Sequence, residues 1–178
     1  MPELFVFHPL HLLLAVTILQ RLAELRIARK NERSLRQKGA IEVGAGHYPA
    51  IVVLHTLWLV AIVVEALWIP RTISPFWPAL LAIWLAAEGL RFWTLRTLGE
   101  RWTTRVLVLQ GEEAIRSGPF RYFRHPNYLV VAIEIAVLPL ILGCLVTAVT
   151  FTLMNGAMMV LRIRAEQRVW REHGAAEL

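Results

Sequence analysis

GPFRYFRHPNYLVVAIEIAVLPLILGCLVTAVTFTLMNGAMMVL, from Gly118 to Leu161, decides how this chain is read. Its opening residues, Gly118 to Tyr128, place Arg121, Arg124 and His125, with Arg116 just ahead, at the entry to an apolar run. That run begins at Pro126, ends near Leu161 and is about 36 residues long, too long for one membrane span of roughly 20. Its only break lies around Leu142, Gly143 and Cys144. The pattern predicts two antiparallel helices joined by a very short turn.

Working outward, the whole chain is too apolar for an ordinary soluble domain: 57% of its 178 residues are hydrophobic, 18% are charged, and seven are Trp. Three further apolar segments reach spanning length, from Leu4 to about Ala23, Tyr48 to Ile69, and Phe76 to about Trp93. Basic residues test that count. They crowd the stretches Arg26 to His47, Arg91 to His125 and the tail after Leu161, whereas the N-terminus and the Gly143 turn have none and the segment Ile69 to Pro75 has only Arg71. The positive-inside rule then calls for five spans in an all-α polytopic membrane protein, N-terminus outside and C-terminus cytoplasmic. One membrane-embedded domain covers 1–178, with three spans and a basic loop in 1–98 and the basic motif, hairpin and tail in 99–178.

Several classes of chemistry drop out. Pro2 and Glu3 replace a basic n-region, so the first span reads as a retained helix rather than a signal peptide. The single Cys144 supports neither an internal disulfide nor thiol chemistry. The histidines, including His8, His11, His47 and His55, have no metal-ligand spacing, and no metal site is expected. The formal charge of +6 is explained by anionic lipid headgroups, without nucleic acid. Glu65, Glu88 and Glu134 fall in or near spans, where a carboxylate must be paired or face water. Glu88 and Arg91, three apart on one helical face, can neutralise each other, and Glu134 shares a face with Asn127 and Val131.

The segment entering the fourth span has the makings of an anion site. Pro126 suits the first helical position, which makes His125 the capping residue and leaves the N–H groups of Asn127, Tyr128 and Leu129 to point outward. Arg121 and Arg124 reinforce the positive end of the helix. Arginines that only snorkel to headgroups are the alternative, but the Gly118-Pro119 turn and the alternation of Phe120, Tyr122 and Phe123 with Arg are more specific than a headgroup contact requires.

At Gly118, Pro119, Phe120, Arg121, Arg124, His125, Pro126 and Tyr128 the chain resembles the isoprenylcysteine carboxyl methyltransferase family of integral membrane enzymes. Phe120 stands where that family's motif has Tyr. The family's hairpin is followed by a stretch with paired Glu residues; here RIRAEQ, Arg162 to Gln167, keeps Glu166 and has Gln167 in the second place. The chain stops soon after His173 and Gly174, without the aromatic-rich tail of eukaryotic members. The upstream QRLAELRIARKNE and GAGHYP stretches look like those of the short bacterial branch, which includes relatives that O-methylate alkylpyrones and alkylresorcinols.

The resemblance implies methyl transfer from S-adenosylmethionine at the cytoplasmic face of a bacterial inner membrane. On that reading Arg124, His125, Pro126, Asn127, Tyr128, Leu129, Arg162 and Glu166 hold the cofactor. A small lipophilic acceptor enters from the bilayer. Arg121, then Arg91 and Arg96, are the cations placed to favour an anionic acceptor oxygen. A phospholipid N-methyltransferase is the nearest rival, and a scaffold or transport subunit using Glu65, Glu88 and Glu134 is the non-enzymatic one. Ala82, Ala86, Gly89, Gly156 and Ala157 permit close helix packing within or between chains, which leaves the oligomeric state open.

Overall fold

The computed structural model describes residues 9–43, 46, 48–68, 72–109 and 115–172, and their side chains except at 9, 43 and 165–172. His8, His47, Arg71 and the side chains of Glu166 and Gln167 therefore lie outside the described residues. The fold is all-α, with five α-helices among the described residues: α1 (Leu12–Gln37), α2 (Tyr48–Trp68), α3 (Trp77–Leu98), α4 (Pro126–Ile141) and α5 (Leu145–Glu172). Besides short 3-10 turns, the described residues include a short antiparallel ribbon in which β1 (Ile41–Val43) pairs with β2 (Val106–Val108). Two segments, Tyr48–Trp68 and Leu145–Arg164, are long and apolar enough to cross a bilayer, and α4 is a shorter apolar helix.

The hairpin expected from the sequence is present, and its turn shows why the break falls at Gly143. That residue has φ +75°, the Gly143 N–H reaches the Leu140 carbonyl at 3.2 Å, and the Cys144 N–H reaches the Pro139 carbonyl at 2.8 Å. This is the paired-bond helix stop that favours glycine at its left-handed position. The next helix then needs partners for its first N–H groups. Glu65 of α2 supplies them, accepting from Val146 N at 3.1 Å, Thr147 N at 2.7 Å and the Thr147 hydroxyl at 2.6 Å. Glu65 is thus a capping carboxylate set against the positive end of α5.

Pro139 raises a similar question inside α4, because a proline ring cannot donate to the carbonyl four residues earlier. That carbonyl, on Ile135, accepts instead from the Trp58 indole N–H at 3.2 Å. The bond is buried and ties α2 to α4. Around it Leu54, Ile62, Trp84, Leu138, Ile141, Leu142 and Phe151 form the apolar core. Neighbouring helices run in the order α3, α4, α5, α2.

Helix α1 departs from the sequence reading. It continues to Gln37, through residues expected to be a basic loop, and Gly39, with φ +90°, follows its Lys38 cap. Its composition explains the extension: LAELRIARKNERSLRQ is rich in strong helix formers, and Arg36 pairs with Glu32 one turn earlier. The second surprise concerns small residues. A Cβ on Gly89 or Gly156 would meet nothing within 4 Å, and Ala82, Ala86 and Ala157 are exposed. These positions face outward rather than serving packing within the chain.

Candidate functional site

The site grows from the turn before α4. Gly118 has φ +59°, and a Cβ there would collide with the Thr97 hydroxyl of α3, so only glycine lets the 118–121 turn lie against that helix. Tyr122 then packs on Trp93 with ring centroids 6.2 Å apart. The chain enters α4 through His125, whose non-helical backbone (φ −132°, ψ 67°) precedes Pro126 at the first helical position. The His125 ring stacks on Tyr128 at 5.2 Å, nearly parallel.

Three other elements converge there. The Arg162 guanidinium of α5 lies 5.2 Å from the Tyr128 ring centroid and donates to the Thr104 carbonyl at 3.2 Å. Tyr48, which opens α2, meets the Thr104 hydroxyl at 3.1 Å, and its ring carries Arg105 at 4.0 Å. Arg105 is held in turn by Glu42 of β1 and by Glu32 of α1 at 3.3 Å. Burial alone would raise the Glu42 carboxyl, but hydrogen bonds from Arg105 and Arg36 outweigh it and hold Glu42 below its ordinary value. The ribbon is therefore a charged clasp beside the Tyr128 and Arg162 pair.

One part of the sequence reading needs correction. The N–H groups of Tyr128 and Leu129 do not point outward; both donate back to the His125 carbonyl, at 3.1 and 3.2 Å. A tight first turn consumes the Tyr128 donor, and Leu129 is already four residues past the cap. In their place stands a side chain. The Oδ1 atom of Asn127 is buried and has no hydrogen-bond partner.

The expected cations separate into two groups. Arg96, Arg121 and Arg124 are exposed at this end of the bundle. Arg91, by contrast, is 2% exposed and enclosed by carboxylates. It pairs with Glu24 at 3.2 Å, approaches Glu88 at 3.6 Å and bonds Glu134. Arg21 joins the same cluster through Glu24, at 2.6 Å, and Glu134. The Glu88 and Arg91 pairing expected from their spacing is thus one contact in a larger network. Sequence reasoning missed Arg21 and Glu24, although a charged pair three apart near the end of a proposed span was a usable signal. It also missed Tyr48, Thr104 and Arg105, which become neighbours only through the ribbon.

A family model for the isoprenylcysteine carboxyl methyltransferase (ICMT) family matches residues 80–171, more than half of the chain and every element of the site from α3 to α5. The chain belongs to this family. ICMT-family proteins are membrane methyltransferases that use S-adenosylmethionine, which sets the class of chemistry. Among relatives, an uncharacterized protein of Bacillus subtilis strain 168, YpbQ, is 38% identical over 162 residues, covering 91% of this chain and 96% of the relative. An uncharacterized protein of Haemophilus influenzae is 28% identical over 148 residues, covering 83% of this chain and 86% of the relative. No solved structure matches the chain.

Proposed function

We propose that this protein transfers the methyl group of S-adenosylmethionine to an oxygen of a lipid-like acceptor, at the cytoplasmic surface of a bacterial inner membrane crossed by all five helices. Alkylpyrones, alkylresorcinols and isoprenylcysteine-type carboxylates are the acceptors considered. The observation that carries this reading is the stack of His125, Tyr128 and Arg162 at the start of α4, the same first turn whose Asn127 carries a buried, unpartnered Oδ1. An amino-acid nucleoside has the matching groups: a carboxylate for the cations, an amine for a free acceptor, and a flat base for an aromatic face.

On this reading Arg162 and His125, with Arg124 at the rim, hold the carboxylate. Asn127 and Glu166 accept from amine or ribose hydroxyl groups, and Tyr128 covers the base, with Pro126 and Leu129 shaping the helix start beside it. The bound cofactor supplies an electrophilic methyl on a sulfonium. The residues of the chain hold the acceptor oxygen in line with it and exclude water. Arg121 and Arg96 are exposed at this end of the bundle, at the rim of the cofactor site.

The test is methyl transfer itself. Purified protein in lipid is incubated with methyl-labelled S-adenosylmethionine and a bacterial lipid extract. Label in an ether or ester is the expected outcome. Label in an amine headgroup would move the assignment to phospholipid N-methylation, and no labelled lipid from any extract would defeat the proposal.

A further inference from the structure

Beneath the site lies a layer of polar side chains contributed by all five helices. Arg21 and Glu24 come from α1, His55 from α2, Glu88 and Arg91 from α3, Glu134 from α4 and Asn155 from α5. Counting from Tyr48, Leu98, Pro126 and Arg162, which frame the site, these residues on α2 to α5 lie seven to ten positions away. That is a depth of about 10–15 Å at 1.5 Å per residue. Helix α1 reaches the layer through long side chains: Gln20 to Glu88 at 2.6 Å, Arg21 to Glu134, and Glu24 to Arg91. Its backbone comes closer to the turn at Gly99–Arg101 than to α3 or α4. At the depth of this layer charged side chains bridge the seam between α1 and the α3–α4 pair, while Leu13 and Leu14 nearer the start of α1 pack on the apolar core.

Three atoms in this layer are left over. Glu134 is 2% exposed, and its Oε1 has no hydrogen-bond partner; the Oε1 of Glu88 has none; and Arg91 is 2% exposed, with its Nε 3.6 Å from Glu88 Oε2 and without a hydrogen bond. Each costs on the order of 1–3 kcal/mol or more if it stays unpaired. Orphaned acceptors on Glu134 and Glu88, and an orphaned donor on Arg91, which is hydrogen-bonded to Glu134, call for a group that both donates and accepts. A hydroxyl does both. An ammonium only donates; it would leave the Arg91 nitrogen unpaired and face two guanidiniums.

We propose that this layer is the subsite for the acceptor's hydroxyl, entered from the bilayer through the α1 seam, with Glu134 as the proton acceptor and Arg91 holding the oxygen. The inference rests on the methyl-transfer reading above. In the step, the acceptor O–H bond breaks and its proton passes to the Glu134 carboxylate. The freed electron pair forms the new O–CH3 bond, and the methyl–sulfur bond of the sulfonium donor breaks with its pair retained on sulfur. The proton leaves to water after the product departs. This takes a weakly acidic phenol, which is almost wholly protonated at neutral pH, through the reaction. The other titratable groups facing Glu134 are Arg21, Glu24, Glu88 and Arg91, with His55 on α2 held through Nδ1 to the Ile51 carbonyl at 2.8 Å.

The first test needs no cofactor. Binding of 3-pentadecylphenol and of its methyl ether to the wild-type protein in detergent is compared by tryptophan fluorescence. A hydrogen bond to a carboxylate should favour the phenol about ten- to hundredfold, and Glu134→Gln should reduce that preference to less than about threefold. Equal binding of phenol and ether by the wild type overturns the proposal whether or not the variant folds. So does tighter binding of a matched alkylamine. The second test compares transfer rates: Glu134→Gln should slow methylation of the phenol at least a hundredfold more than that of an alkyl 4-hydroxy-2-pyrone already ionised at pH 7. Equal losses on both, or the phenol-specific loss appearing in His55→Gln instead, remove Glu134 from the proton step. The methyl-transfer reading fails separately, through absence of cofactor binding, which the phenol measurement does not involve.

Discussion

Replacing Glu65 by Ala should loosen the start of α5 in a way that its neighbour Cys144 can report. Glu65 is 6% exposed and accepts three hydrogen bonds from Val146 and Thr147. Val146 is exposed, so water can replace its partner; Thr147 is 3% exposed and keeps an unpartnered N–H and hydroxyl. Two buried donors stripped of a charged acceptor cost about 3 kcal/mol together. Cys144 is the only cysteine, lies immediately before α5 and is 0% exposed. Its thiol reacts only when this end of the helix opens, so labelling by a maleimide under native conditions measures the opening. A loss of about 3 kcal/mol should speed labelling roughly a hundredfold. Glu65→Gln, which keeps one acceptor oxygen, should fall between the two. If Glu65→Ala labels no faster than wild type and melts at the same temperature, the capping account of Glu65 is wrong.

Three other outcomes follow from the same reasoning. Trp58→Phe should cost about 1–3 kcal/mol by stranding the Ile135 carbonyl, and Pro139→Ala, which returns an N–H to it, should recover most of that loss in a double-mutant cycle read by thermal melts. Gly118→Ala should destabilise by about 1 kcal/mol from backbone strain plus the collision with Thr97; Thr97→Ala should relieve only the second part. The Glu42 carboxyl is depressed in the folded chain. Its contribution is therefore present above the ordinary carboxylate pKa of roughly 4.3 and lost as pH falls through its lower folded value, so hydrogen exchange at Val106 to Val108 should accelerate below about pH 4 in wild type and lose that pH step in Glu42→Gln.

The hairpin was legible because its signals are local: a long apolar run, one glycine, and a proline at the helix start. The basic turn and His125 were legible for the same reason. What escaped depends on contacts between distant residues. No periodicity shows that Tyr48, Thr104 and Arg162 meet, since residues 41–43 and 106–108 must first pair. The fate of the N–H groups at the start of α4 depended on how tightly its first turn winds, which residue types leave undecided. Glu65 and Glu134 looked alike as carboxylates in apolar helices. One faces the start of a neighbouring helix and the other a pair of guanidiniums, a difference that only packing creates.

Calorimetric titration of S-adenosylmethionine into the purified protein, in detergent and in lipid, tests the central claim most directly. The account expects one site per chain, weakened at least tenfold in His125→Ala and in Arg162→Ala, each of which removes a cationic or stacking partner at the start of α4. Wild-type protein that binds no cofactor in either medium, or variants that bind as tightly as wild type, would contradict it.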